Sequence, residues 1–235
     1  MRMLSRQNIE SISEKVIDKY FNDKRITKIE KTNIKPSLLA MILGLKIEYH
    51  SITEDKSILG ITSFHELEIQ VFDNEREQQY CSLDGKTIII DKFLTEEYKY
   101  KGKLNFTLAH EISHQIYKMT FPKDYGFSDK MYCSKVKSEK TRVITDWEEW
   151  QADTLAAAIL LPKTIIHQAL NEFEFNNGIE LLDKYAQPRV YLNFCRLAEY
   201  LGVSKSTLAI RLEQLGIIKE NNLFNKCNID ITRSD

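Results

Sequence analysis

His110 and His114 stand four residues apart in the stretch His110-Glu111-Ile112-Ser113-His114. On an α-helix, side chains at i and i+4 lie one above the other on the same face, so both imidazoles can approach a single ion. Zn²⁺ takes nitrogen ligands at roughly 2.0–2.1 Å, and a hydrolytic zinc keeps three protein ligands and one open position. Glu111 sits roughly 100° round the helix from His110, too far to be an equal ligand but well placed to act on a water beside the ion. This is the chemistry of a zinc peptidase, with the metal as Lewis acid and the glutamate as general base. The competing reading is a helix with two hydrogen-bonded core histidines and a surface glutamate.

A third ligand is sought downstream. From Glu149 to Leu160, the residues Glu149, Ala152, Asp153, Ala156, Ala157 and Leu160 follow the i, i+3, i+4 rhythm of one helix face. That face carries two carboxylates and then small alanines, which let a neighbouring helix come close. Glu149 is the candidate ligand. It could instead close a capping box begun at Asp146, or stand in solvent like Glu148, although Thr145 and Glu148 supply the same box one residue earlier. Asp153, one turn on, is a candidate partner for the Nδ1–H of a ligand histidine; the alternative is a helix-surface aspartate.

The elements around these residues have their own signals. Leu104, Leu108, Ile112 and Ile116 form an apolar stripe beside the histidine face, with Asn105 or Thr107 expected to cap the helix start. Upstream, helices are expected at Arg6 to Phe21 and around Lys35 to Leu43, the latter closed by Gly44. Strands are expected at Leu45 to Tyr49, Ile58 to Ser63, Glu66 to Phe72 and, after an Asp84-Gly85 turn, Lys86 to Asp91. An exposed edge of this sheet would suit an extended substrate. The connection from Thr120 to Thr145, with Tyr125-Gly126-Phe127 and Lys130, Lys135, Lys137, Lys140 and Arg142, could be a lid, a substrate rim or a solvated insertion. After Pro162 the chain reads as entirely helical. Val190 to Leu215 has the small, turn and core positions of a helix-turn-helix in Ala198, Gly202 and Leu208. A DNA-binding version would turn Ser204, Lys205, Ser206 and Arg211 to the groove.

The fragment from Phe106 to His114, paired with Glu149 to Pro162, resembles the ImmA/IrrE family of metallopeptidases. Its pattern is F-T-x-A-H-E-x-x-H followed by E-x-x-A-[DN]-x-[FL]-A-x-x-L-L-x-P, and Ile159 replaces one leucine. The resemblance implies zinc on His110, His114 and Glu149, with Glu111 as catalytic base. The Glu149-x-x-x-Asp153 spacing is also similar to that of thermolysin-like gluzincins, which implies that Asp153 orients a ligand histidine. It further implies an endopeptidase whose protein substrate is a helix-turn-helix repressor of a mobile element or stress regulon. The fold expected is α+β: a small, mostly antiparallel sheet on a zincin-like helical core. Residues 1–185 would form the peptidase domain, 186–219 a helix-turn-helix-like subdomain and 220–235 a polar tail.

Composition bounds the rest. With 235 residues, 43% hydrophobic and 29% charged, the chain is expected to hold one ordinary domain and a small appendage. A net charge of −1 gives no general drive toward nucleic acid or anionic membrane. Direct nucleic-acid binding is therefore not expected, and Glu199 and Glu213 offset the few cations of the helix-turn-helix. The start lacks the apolar core of a signal peptide, and no apolar run is long enough to span a bilayer, so a cytoplasmic protein without membrane contact is expected. Cys81, Cys133, Cys195 and Cys227 are scattered and read as reduced, neither nucleophiles nor ligands. His50, His65 and His167 read as isolated. Tyr117 and Tyr185 are candidates for a second oxyanion donor. Mn²⁺ could replace Zn²⁺ on this ligand set. The rival function is a DNA-binding or stress-sensing regulator whose metal site is not catalytic.

Overall fold

The computed structural model describes residues 3–26, 34–72, 77–125, 132–135 and 147–223. Helix α1 (Arg6–Asn22) starts at Ser5, whose side chain accepts from the Asn8 N–H, and it buries Ile9, Ser13, Ile17 and Tyr20 on one face. Helix α2 (Pro36–Leu43) opens on a proline and closes at Gly44, whose φ of +72° suits a residue without Cβ. Five strands follow: β1 (Lys46–His50), β2 (Ile58–Thr62), β3 (Glu66–Phe72), β4 (Gln78–Asp84) and β5 (Thr87–Asp91). Two 3-10 turns lead into α3 (Lys101–Thr120), which carries the histidine pair, then the short α4 (Pro122–Tyr125) and β6 (Tyr132–Lys135). Helix α5 (Trp147–Leu160) carries Glu149. The chain ends through α6 (Lys163–Glu172), β7 (Ile179–Leu182), α7 (Pro188–Tyr200), α8 (Lys205–Gln214) and β8 (Ile218–Asn221).

The architecture is α+β. The main sheet has the order β1-β5-β2-β6. Its β1–β5 pair is parallel and the other two pairs are antiparallel. Strand β5 is buried at every position, as a central strand covered on both faces should be. Ile88 and Ile90 join α1, α2, α3 and α5 in one core. Ile89, on the opposite face, joins Ile61, Ile69, Val71, Cys81 and Leu83 in another, where the β3–β4 hairpin closes the far side of the sheet. A further core links Ala109 of α3 and Ala156 of α5 to the helices after Pro162.

The structure departs from the sequence reading at three elements. Strand β4 was not foreseen, because only Cys81 and Leu83 of its seven residues turn inward and the pattern is too thin to read. The region after Pro162 is not entirely helical: Ile179–Leu182 and Ile218–Asn221 pair as parallel strands. Helix α3 begins a turn earlier than capping residues suggested, at Lys101, with neither Asn105 nor Thr107 as cap. Asn105 instead donates to the Gly202 carbonyl at 2.9 Å, and Thr107 is buried inside the helix face. Thr145, Asp146 and most of the 120–145 connection, including Gly126 to Lys130 and Lys137 to Arg142, lie outside the described residues.

The helix-turn-helix is present as α7 and α8, with Ser204 accepting from the Thr207 N–H, but it is docked. A Cβ on Gly102 of α3 would fall 2.6 Å from the Ser204 nitrogen, so α3 and the turn meet at glycine distance. Arg211, which a DNA-binding version would turn to the groove, is 1% exposed. It donates to both carboxylate oxygens of Glu10 on α1 and to the Leu161 carbonyl. Burial raises the Glu10 carboxyl, but Arg211 and then Lys163 outweigh it, and its pKa is lowered. A lowered folded pKa contributes stability above the unfolded value of 4.5 and loses it as pH falls through the folded one. Glu10→Ala, which strands a buried guanidinium, should therefore cost about 3 kcal/mol near neutral pH. Urea denaturation should show that gap closing as pH falls through the lowered folded pKa of Glu10; an equal gap at neutral and at acid pH would show that the charge pair is not its source.

Candidate active site

The site is built where α3 crosses α5. Ala152, Ala156 and Ala157 are buried on the contact face of α5, and their small side chains let the helices approach closely enough for a carboxylate on one to reach imidazoles on the other. The Nε2 atoms of His110 and His114 lie 3.1 Å apart. Glu149 places Oε2 3.1 Å from the first and Oε1 3.4 Å from the second. Four ligands around Zn²⁺ in a tetrahedron would stand roughly 3.3–3.4 Å from one another. The three donors thus have the mutual spacing of metal ligands, and they form a group able to hold an ion. Both histidines are buried, whereas the Glu149 side chain keeps 33% exposure and marks the open side.

The electrostatics fit a bound cation. Burial would push the His110 imidazolium down, but hydrogen bonds to Asp153 and Glu149 raise its pKa to about 10. His114 goes the other way, lowered first by burial. Burial raises the Glu149 carboxyl, yet the two histidines hold it well below the usual carboxylate range. The pocket thus favours one positive charge among these groups and resists a second. A metal would displace that proton, so its affinity should rise with pH. Asp153 accepts from His110 Nδ1 at 2.9 Å, which leaves the Nε2 lone pair for the ion.

Glu111 is fully buried on the face of α3 turned toward β2. There the strand carries Gly60, where a Cβ would fall 3.0 Å from both Cγ and Oε1 of Glu111 and 2.9 Å from Cγ2 of Thr107. Gln115, one turn further along α3, donates to Thr62 Oγ1 at 2.7 Å and to the Ser63 carbonyl at 2.9 Å. Strand and helix are therefore locked together on either side of the glutamate. Sequence reading missed Gly60 and Gln115. A glycine inside a β-branched strand was the available signal for a close backbone approach.

A family model described as the IrrE N-terminal-like domain, peptidase M78, matches residues 72–213, more than half of the chain. The chain belongs to this family. A comparison with curated proteins finds no match. Membership of the IrrE-like family makes the protein a metallopeptidase with a protein substrate, and the His110–His114–Glu149 group agrees with a metal requirement.

The other expected residues fall away from this centre. Tyr117 donates its hydroxyl to the Gln151 carbonyl in the core, and Tyr185 stands 73% exposed in the turn before α7. His65 and His167 are exposed. Strand β2, which lies beside Glu111, is not an edge, because β6 from the 120–145 connection pairs with it; among the described residues the sheet's edges are β1 and β6. Among the described residues, no helix is long and apolar enough to cross a membrane.

Proposed function

We propose that this IrrE-like protein is a zinc-dependent endopeptidase that cuts a helix-turn-helix repressor in the cytoplasm. The observation that carries the reading is the convergence of two imidazoles and a carboxylate at ligand spacing in a chain of a metallopeptidase family. In this reading His110, His114 and Glu149 hold Zn²⁺, with Mn²⁺ as a substitute. The ion when bound supplies Lewis acidity, polarising the scissile carbonyl and lowering the pKa of water. Glu111 takes a proton from the attacking water and returns it to the leaving amine, so the carboxylate is restored after each turnover. Asp153 holds the Nδ1–H of His110 and keeps its tautomer fixed. Residues 1–185 act as the peptidase, and 186–219 brace α3 through the Gly102 and Asn105 contacts.

The rival reading, a DNA-binding regulator, needs cations on the recognition helix, and Arg211 is engaged with Glu10 in the interior. The test is cleavage of a purified helix-turn-helix repressor, sought first in the adjacent open reading frame. The zinc-loaded enzyme should give two fragments, a chelator should stop the reaction, and added Zn²⁺ should restore it. Cleavage unchanged by chelation would remove the metal from the mechanism, and an intact repressor would remove the substrate.

A further inference from the structure

A second set of donors meets on the far side of the same sheet. Residues 47 to 50 of β1 alternate faces: Ile47 packs against the core that α1, α2, α3 and α5 share, while Glu48 and His50, two residues apart, both turn toward the β3–β4 hairpin. Cys81 of β4 meets them across the seam. Its sulfur lies 3.5 Å from Glu48 Oε2 and 3.9 Å from His50 Nε2, and His50 Nε2 lies 3.2 Å from the same Glu48 oxygen. These atoms form, with the His110 group, the two potential metal-holding groups among the described residues. His50, read as isolated, has the Glu48 carboxylate and the Cys81 thiol beside it; 31 residues separate it from Cys81, and only the hairpin brings the two together.

Two chemistries compete for a cysteine, a histidine and a glutamate. A nucleophilic triad needs the imidazole to take the thiol proton on one nitrogen and offer the other to the carboxylate. Here a single nitrogen, Nε2, faces both the sulfur and the carboxylate. A metal site needs the opposite arrangement, with all three donor atoms facing one point. Ligands of a tetrahedral zinc bound to S, N and O would stand roughly 3.3–3.6 Å apart, close to the separations observed. The mixed set suits Zn²⁺ and Co²⁺ and excludes hard ions such as Ca²⁺ or Mg²⁺, which take oxygen. Access exists too: the His50 and Glu48 side chains keep 32% and 42% exposure over the buried sulfur.

We propose that Glu48, His50 and Cys81 form a second transition-metal site, one that pins the β3–β4 hairpin to strand β1. It is independent of the peptidase reading, and its test is kept so. Titrating the full-length, reduced protein with Co²⁺ should produce a near-ultraviolet thiolate-to-cobalt charge-transfer band. The His110 site has only nitrogen and oxygen donors, so the band is blind to it. Cys81→Ser should remove the band. Because Cys81 sits in a core, His50→Ala provides a surface variant: it should weaken the Co²⁺ affinity read from the band by at least about tenfold. No band in the wild type, or a band that persists in Cys81→Ser or is unmoved in His50→Ala, overturns the site. Either failure leaves repressor cleavage and its zinc dependence standing.

Discussion

Glu111→Gln should lower peptidase turnover by about 10³-fold while the protein keeps its metal and its fold. Removing a general base typically costs 10²–10⁴-fold, and an amide cannot take the proton that water must lose. The substitution keeps the size of the side chain, which matters at a fully buried position wedged against Gly60. His110, His114 and Glu149 themselves and the Asp153 contact of His110 are kept, so bound metal should remain near that of the wild type. Metal content by elemental analysis, the melting temperature and kcat, measured on one preparation, separate the possibilities. Turnover above about a tenth of wild type would mean that another group takes the proton. A parallel loss of metal would instead make Glu111 part of the metal's support.

The chemistry of this chain was legible wherever it depended on neighbours along a helix. His110, Glu111 and His114 are related by the pitch of α3 alone, and Glu149, Asp153 and the alanines by the pitch of α5, so spacing reports their faces directly. The same holds for the Gly44 terminus and for the alternation in β3, each set by a few consecutive residues. What stayed hidden depends on segments far apart in sequence. Arg211 looks like a groove-facing cation until α1 supplies Glu10, 201 residues away. Cys81 looks like a lone thiol until the hairpin lays it against β1. Strand β6 could not be placed, because its pairing with β2 belongs to a connection with little apolar pattern of its own. Local periodicity fixes which face a residue occupies, whereas the identity of what meets that face is a tertiary fact.

Gly60→Ala should reduce kcat by about 10- to 100-fold without removing the metal, although residue 60 is neither acid, base nor ligand. Thr107 and Glu111 lie four residues apart on α3 and present the same face to β2, and Gly60 is the point where strand and helix touch. An added methyl would meet Cγ2 of Thr107 at 2.9 Å and Cγ of Glu111 at 3.0 Å. Neither atom is the loose end of a long chain: one belongs to a β-branched side chain and the other sits one bond beyond Cβ. The strand cannot retreat, because Gly60 is paired with Ile90 of β5 on one side and Ser134 of β6 on the other. The glutamate must therefore shift, and a displacement of about 1 Å at a reacting group can cost 10²-fold. A double-mutant cycle isolates this route. If Glu111 is the base, the Glu111→Gln background has none left to misplace, so adding Gly60→Ala should lower the residual rate little further. Equal losses in both backgrounds would show that the methyl acts through the fold at large rather than through Glu111.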